Sequence, residues 1–142
     1  MAQTKTYAPD MVVMNFGPSL ITGFSSGSII TVEREVESFS KRVGAQGDTT
    51  RVRSANISGR VTIRLKQVAD SNRILSSILN MDELFGSGKF PLYVADTGGS
   101  SLFSAAEAWI VKNPLVDFSD DESPREWIFD CSNLIMNHGS NR

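Results

Sequence analysis

The sequence predicts a mainly β fold, a sandwich or partly closed barrel, with a single α-helix in the middle of the chain. Three observations predict it. Several short segments alternate apolar and polar residues with period two. Clusters of Gly, Pro, Asp and Ser separate these segments. Only one segment has apolar residues at helical spacing, so we expect a helix that covers an open end or edge of the sheet.

The clearest strand is predicted at residues 57–65, where apolar residues alternate with Ser, Arg and Thr. An earlier alternating segment spans residues 28–37, although Arg34 interrupts its apolar face. Period two gives each strand one buried face and one polar face. The connection between them, residues 38–55, contains two glycines and is predicted to be a long flexible loop.

The remaining strands flank recognisable turns. They are predicted at residues 11–16, 20–24, 90–95, 102–111, 115–118 and 126–131. The turns between them are rich in Gly, Pro and Asp, and they lie at residues 17–18, 23–27, 96–100 and 120–124.

The helix is predicted at about residues 71–80, with Asp70 as its N-cap. Its apolar positions Ile74, Leu75, Ile78 and Leu79 form one stripe. Gly86-Ser87-Gly88 prevents any continuation. The chain has 142 residues and no linker-like segment, so we expect one domain over residues 1–142.

Composition excludes several classes of protein. The chain has 14 Lys and Arg against 16 Asp and Glu, which argues against a general nucleic-acid binder. A lone Cys131 excludes an internal disulfide and any multi-cysteine zinc site. The N-terminus lacks a signal pattern, and the uncharged stretch 11–32 is too polar for a spanning helix. We therefore expect a soluble protein without a membrane anchor.

The sequence offers no residue set for catalysis, for a cofactor or for a metal ion. His138 is the only imidazole and is expected to lie in an exposed tail. Cys131 alternates with Trp127 and Phe129, which predicts a buried, inert thiol. Residues 44–48 lack the Gly-Lys-Ser/Thr ending of a phosphate loop. An enzyme is therefore the weakest interpretation.

Two segments carry opposite charge. The predicted loop contains four basic residues and one acidic residue, namely Lys41, Arg42, Arg51, Arg53 and Asp48. The stretch 113–126 is acidic, and its carboxylates lack the spacing of a calcium loop: Asp117, Asp120, Asp121 and Glu122. Complementary surfaces on one molecule suit a subunit that assembles head to tail. Two unrelated solvated loops are the alternative.

The order and spacing of several segments resemble one known family. They are Gly23-Phe24, GSIITVERE at 27–35, VGAQG at 43–47, Ser58-Gly59, DSN at 70–72, WIVKNP at 109–114 and REWIFDC at 125–131. With this pattern the chain resembles the tail tube proteins of contractile-tailed bacteriophages, from about residue 10 to about residue 141. No single motif is diagnostic.

This resemblance implies a small barrel of two packed antiparallel sheets with a flanking helix. It also implies hexameric rings, stacked head to tail into a hollow tube inside a contractile sheath, that conduct the genome into the host. Implied partners are further copies of the chain, the sheath protein, the baseplate, the tail terminator and phage DNA that passes without specific binding. The protein is then expected in the virion, after assembly in the bacterial cytoplasm.

Within that family the long loop reaches the neighbouring ring, so Lys41, Arg42, Asp48, Arg51 and Arg53 are expected to contact acidic surface there. We expect two polar strand faces to contribute to the channel wall: Thr31, Glu33 and Glu35 on one strand, and Ser58, Arg60, Thr62 and Arg64 on the other. Pairing with Glu33 and Glu35 would neutralise the positive charges of Arg60 and Arg64. The alternatives are a tube subunit of a type VI secretion-like or other contractile injection system, and a monomeric ligand-binding β-barrel.

Overall fold

The computed structural model describes residues 2–27 and 29–142, so Ser28 of the predicted segment 28–37 lies outside the described residues. The strands are β1 (Val12–Phe16), β2 (Ser19–Ile21), β3 (Ile30–Arg34), β4 (Phe39–Val43), β5 (Thr49–Arg53), β6 (Gly59–Leu65), β7 (Phe90–Asp96), β8 (Leu102–Ile110), β9 (Arg125–Cys131) and β10 (Leu134–Asn137). The helix α1 is Asp70–Phe85, and a short 3-10 turn, Pro9–Met11, precedes β1. The predicted mainly β fold with one helix is confirmed.

Eight of the strands form one antiparallel sheet, and β4 and β5 form a separate two-stranded sheet. The large sheet has the order β2-β1-β7-β8-β9-β6-β3. Strand β8 pairs with β9 through Ala108↔Cys131 and with β10 through Ala105↔Leu134. Strand β10 therefore continues the line of β9 along β8.

The large sheet curls around a single apolar core. Alternation in β6 places Val61, Ile63 and Leu65 inside, and the same pattern in β9 buries Trp127 and Phe129. These side chains belong to one cluster with buried residues of β1, β2, β7, β8, β10 and α1. The predicted burial of 57–65 and 126–131 is confirmed, and the packing is sandwich-like.

Helix α1 is longer than the predicted 71–80 and begins one residue earlier. Ala69 is the N-cap, so Asp70 is the first helical residue and the predicted cap is wrong. Side chains farther along anchor this end instead: Asn72 donates to the carbonyl oxygen of Lys66, at 2.8 Å, and accepts a hydrogen bond from the Trp127 indole, at 2.9 Å. Gly86 ends the helix at φ 67°, a conformation that favours glycine.

Three predicted boundaries are wrong. Residues 38–55 are not a loop, because β4 and β5 pair as a hairpin from Phe39↔Arg53 to Val43↔Thr49. The predicted strand 115–118 does not form, because its apolar side chains are exposed and have no core to pack on. The predicted strand 20–24 ends at Ile21, and Phe24 makes only an isolated bridge to Leu65. Among the described residues, no helix has the length and apolarity needed to cross a membrane.

Candidate functional site

The seven polar residues predicted on residues 31–35 and 58–64 lie together on the outer face of the large sheet. Strands β3 and β6 are adjacent, and their register sets Thr31 opposite Thr62 and Glu33 opposite Arg60. Just beyond β3, the hydroxyl oxygen of Ser58 lies 3.3 Å from Oε2 of Glu35 and donates its hydrogen bond to Oδ1 of Asn56, at 2.6 Å. Arg64 is exposed at the far end of β6. The structure thus brings the predicted set into one continuous surface, which we call the polar face.

Arg60 is neutralised by a residue that the sequence analysis did not select. Its Nε lies 2.9 Å from Oδ1 of Asp130 on β9, and Arg60 faces Asp130 directly in the β6–β9 register. The hydrogen bond to Asp130, followed by the charge of Asp130, raises the pKa of the Arg60 guanidinium, and the charges of Glu35 and Glu33 act in the same direction. The expected pairing with Glu33 and Glu35 therefore affects the pKa of Arg60 less than Asp130 does.

Strand β9 completes the polar face with two acids. Glu126 faces Arg64 across the β6–β9 ladder, as Asp130 faces Arg60. The alternation of β9 predicts where these two acids lie. Because Trp127, Phe129 and Cys131 point inward, Glu126 and Asp130 must point outward. With both acids counted, carboxylates outnumber guanidinium groups on this face. They are Glu33, Glu35, Glu126 and Asp130 against Arg60 and Arg64.

Arg34 does not disrupt the apolar side of β3, contrary to the pattern of its sequence. Its guanidinium group donates through Nε, at 3.0 Å, and through Nη2, at 2.6 Å, to the carbonyl oxygen of Leu134 on β10. This charged group therefore joins two strands that are not hydrogen-bonded neighbours in the sheet.

The predicted basic loop is a hairpin that stands apart from the core. All ten residues of β4 and β5 are exposed. Arg51 lies over the ring of Phe39, 4.2 Å from its centroid. None of the hairpin cations forms an ion pair within the described part of the chain, where the one ion pair is that between Arg60 and Asp130.

The acidic segment, residues 113–124, is also exposed and contains no strand. Glu122 is bound within the subunit, since its Oε1 accepts a hydrogen bond from the backbone N–H of Gln67, at 2.9 Å. Two large apolar side chains of the segment face solvent, with exposures of 86% for Leu115 and 80% for Phe118. Asp117, Asp120 and Asp121 make no ion pair among the residues described.

The two residues considered for catalysis, Cys131 and His138, lie in different surroundings. Cys131 is buried, and burial raises the pKa of its thiol to about 11, with the charges of Asp130 and Glu35 adding to the effect. His138 is exposed and packs its ring edge to face with Phe103, 5.3 Å between centroids. The part of the chain that the structure describes contains no cluster of His, Cys, Asp and Glu able to hold a metal ion.

A cavity of about 260 Å³ opens beside His138, between β3 on one side and β7, β8 and β10 on the other. Its lining includes Val12, Ile30, Val32 and Phe103. Pockets that hold small organic ligands usually measure about 300–1,000 Å³. The main interior is filled by packed side chains instead.

Both ends of the sheet order are free strand edges. Among the residues that the structure describes, strand β2 pairs only with β1, and β3 pairs only with β6. The hydrogen bonds from Arg64 N to Ile29 O and from Glu35 N to Ser58 O fix the alternation along β3. Residues Ile30, Val32 and Arg34 therefore direct their backbone N–H and C=O groups away from β6. Such an edge is a template for another strand.

Comparison with known proteins gives a consistent result. The sequence profile of the family described as "Bacteriophage PhiTE tail tube protein" matches residues 11–139. The chain is 36% identical over 148 residues to "Structural protein ORF10" of Pseudomonas phage KPP10, a match that covers 99% of this chain and 86% of the relative.

Solved structures with the same fold come from contractile injection systems. The tube terminating cap of the anti-feeding prophage superposes with a TM-score of 0.69 at 11% identity, covering 96% of this chain and 94% of that one. A sheath/tube terminator of the extracellular contractile injection system PVC gives a TM-score of 0.67 at 16% identity, with 96% and 100% coverage. The PVC sheath-tube complex contains a chain with a TM-score of 0.66 at 14% identity, with 93% and 91% coverage.

Proposed function

The chain belongs to the tail tube family of bacteriophages, and from this premise we propose that six copies close into a ring and that the rings stack head to tail into the hollow inner tube of a contractile tail. This tube is the conduit through which the genome leaves the capsid and enters the host. Residues 1–142 act as one tube subunit domain. The observation that carries the proposal is a curved sheet whose strand order ends in a free edge on each side, at β2 and at β3, around one apolar core.

The ring forms by pairing of sheet edges. Strand β3 presents the unpaired backbone groups of Ile30, Val32 and Arg34, and strand β2 of a neighbouring copy offers the second free edge. Joining these edges head to tail around a closed ring satisfies both ends of the strand order, which would otherwise be open to uncontrolled pairing. The neighbouring sheets then form one continuous barrel.

The polar face lines the channel of that barrel. Its carboxylates outnumber its guanidinium groups, and Arg60 is held by Asp130. Each unpaired cation in contact with phosphate would add salt-dependent affinity for DNA. A wall on which Arg60 is paired and carboxylates are in excess therefore lets DNA pass without holding it.

Stacking of rings uses the hairpin of β4 and β5. Lys41, Arg42, Asp48, Arg51 and Arg53 extend from the body of the subunit. The cations of this hairpin bring it into contact with acidic surface on the next ring. The acidic segment, with Asp117, Asp120, Asp121 and Glu122, supplies that surface. Exposed ion pairs contribute about 0 to 1 kcal/mol each, and repetition around every ring adds them together.

The tube functions in the virion after assembly in the bacterial cytoplasm. Its partners are the sheath protein on the outside and the baseplate and tail terminator at the two ends. Solved relatives of this fold include a tube terminating cap and a sheath-tube complex, which supports these contacts. The phage relatives favour a phage tail over another contractile injection system.

Negative-stain electron microscopy of the purified protein at high concentration, with light scattering for mass, tests the proposal. We expect hollow six-fold rings or stacked tubes, with or without added baseplates as nuclei. A protein that stays monomeric in the presence of baseplates would contradict the proposal and favour a monomeric ligand-binding barrel.

A further inference from the structure

The hairpin of β4 and β5 has two different faces. Side chains directly opposite each other in the ladder share a face, so one face contains the pairs Phe39↔Arg53, Lys41↔Arg51 and Val43↔Thr49. We call it the basic face. The other face contains Ser40↔Val52 and Arg42↔Thr50 and has one cation. Lys41 and Arg42 are adjacent in sequence and point to opposite sides.

The basic face concentrates like charge at short range. Gly44 N donates to Asp48 O at 2.7 Å and Ser54 N to Ser38 O at 2.8 Å, so the even-numbered residues of β4 form the hydrogen-bonded pairs. The pair Lys41↔Arg51 is then of the non-hydrogen-bonded kind, in which the side chains lie closer together. Like charges opposite each other destabilise a strand pair.

An isolated two-stranded hairpin has little stability to offset this repulsion. Such hairpins are marginal in water, and every strand residue of this one is exposed. Arg51 stacks on the ring of Phe39, and this cation–π attraction offsets part of the repulsion. Lys41 and Arg53 have no ion-pair partner among the described residues. Carboxylates brought to this face by another molecule would remove the repulsion.

The geometry points to the basic face alone, and not to the hairpin as a whole, as the surface that docks onto a second copy of this chain, at the acidic segment. This inference rests on the proposed assembly and specifies its contact. The charges are complementary, since Lys41, Arg51 and Arg53 would meet Asp117, Asp120 and Asp121. The apolar components match too: Phe39 would meet the exposed ring of Phe118.

The acidic segment suits this contact better than the polar face does. On the polar face the acids share their surroundings with Arg60 and Arg64, and Asp130 is already paired. Beside the acidic segment, Arg125 is buried and donates to the carbonyl oxygen of Ser123, at 2.6 Å, and its guanidinium group lies over one side of the Phe118 ring, 5.8 Å from the centroid. Asp117, Asp120 and Asp121 therefore remain available to a second copy.

Carbodiimide cross-linking tests which face docks, because it joins only an amine and a carboxylate that are in contact. We mix isotopically light and heavy protein under assembly conditions and identify linked peptides by mass spectrometry. Lys41 is expected to join Asp117, Asp120 or Asp121 of the other isotopic form. The matched control is the double variant Lys41→Arg/Arg42→Lys, which keeps the charge and moves the amine to the other face. We expect at least a tenfold loss of the link in that variant.

The outcomes separate this inference from the proposed tube function when the same samples are imaged. Rings or tubes without the Lys41 link, or with a link of equal yield in the control variant, overturn the inference and leave the tube proposal intact. The expected link without rings or tubes supports the inference and contradicts the tube. If added duplex DNA protects Lys41 and no link forms, the basic face binds phosphate and the inference is wrong.

Charge reversal provides a second measurement. Arg51→Glu/Arg53→Glu should not assemble alone, because two acidic surfaces would meet, and Asp117→Arg/Asp120→Arg should fail for the opposite reason. A mixture of the two variants is complementary at both contacts and should assemble near the wild-type concentration. Thr50→Glu, on the other face, should assemble normally. Assembly of each reversed variant alone would overturn the inference, with circular dichroism to verify folding.

Discussion

Phe16 on β1 packs edge to face against Phe129 on β9, with 4.9 Å between ring centroids. Two strands, β7 and β8, separate these residues along the sheet, so the contact exists only because the sheet curls over its own inner face. Both rings are fully buried. The contact between these two rings therefore depends on the curvature of the large sheet.

We expect Phe129→Ala to lower the free energy of unfolding by about 3–5 kcal/mol, because it removes a large buried ring and leaves a cavity. Urea unfolding followed by circular dichroism measures it. Phe39→Ala, the same change at an exposed position of the hairpin, should stay within about 0.5 kcal/mol. Equal losses at the two positions would mean that the sheet does not close over Phe129.

Gly59 in β6 fills a place where a side chain has no room. A Cβ atom there would lie 2.7 Å from the carbonyl oxygen of Glu33 on β3 and would collide with the side chain of Leu134. We expect Gly59→Ala to destabilise the protein by about 1–3 kcal/mol, as overpacking does. Thr62→Val, an isosteric change on the outer side of the same strand, should have little effect. Thermal unfolding of both variants distinguishes them.

The pattern of the sequence was sufficient for elements that pack on the core. Alternation in 57–65 and 126–131 predicts the buried sides of β6 and β9, because burial of one face fixes the phase of a strand. The same alternation sets Glu126 and Asp130 on the outer face of β9. Pairing partners, and hence the Arg60–Asp130 ion pair, depend on strand order, which local patterns do not contain.

Elements without a core contact were predicted poorly. The strands β4 and β5 have every residue exposed, so no apolar alternation marks them as strands. Residues 115–118 show the opposite error, since their apolar content predicts a strand that finds no partner within the subunit. Both segments belong to the proposed contacts between copies. If those contacts determine their sequences, the pattern of a single chain cannot show their structure.

The Cys131 thiol should be unreactive in the folded protein. Its folded pKa of about 11 lies above the ordinary value of 9.0, so the unfolded chain loses this proton first as the pH rises. The resulting contribution to stability is complete below about pH 9 and is lost as the pH approaches about 11. We expect the stability difference between the wild type and Cys131→Ala to narrow over this interval, measured by urea unfolding at each pH.

Thiol labelling provides an independent check on the same residue. At pH 8 a maleimide should modify Cys131 at the rate at which the protein unfolds, and immediately in denaturant. Rapid labelling of the native protein would show that the thiol is accessible and that the pH dependence has another origin.

The Arg60–Asp130 ion pair is expected to keep the affinity of the proposed channel for DNA low. Asp130→Asn keeps the shape of the side chain and removes the charge that neutralises Arg60, so six guanidinium groups per ring would face the DNA unpaired. We expect assembled tubes of this variant to retain duplex DNA at low salt, with a salt dependence that steepens by about 0.9 for each additional phosphate contact. Electrophoretic retention over a series of salt concentrations measures it.

Glu83→Gln makes the same charge change on helix α1, away from the polar face, and should retain no more DNA than the wild type. If both variants retain DNA equally, the effect is one of net charge and the polar face does not line the channel.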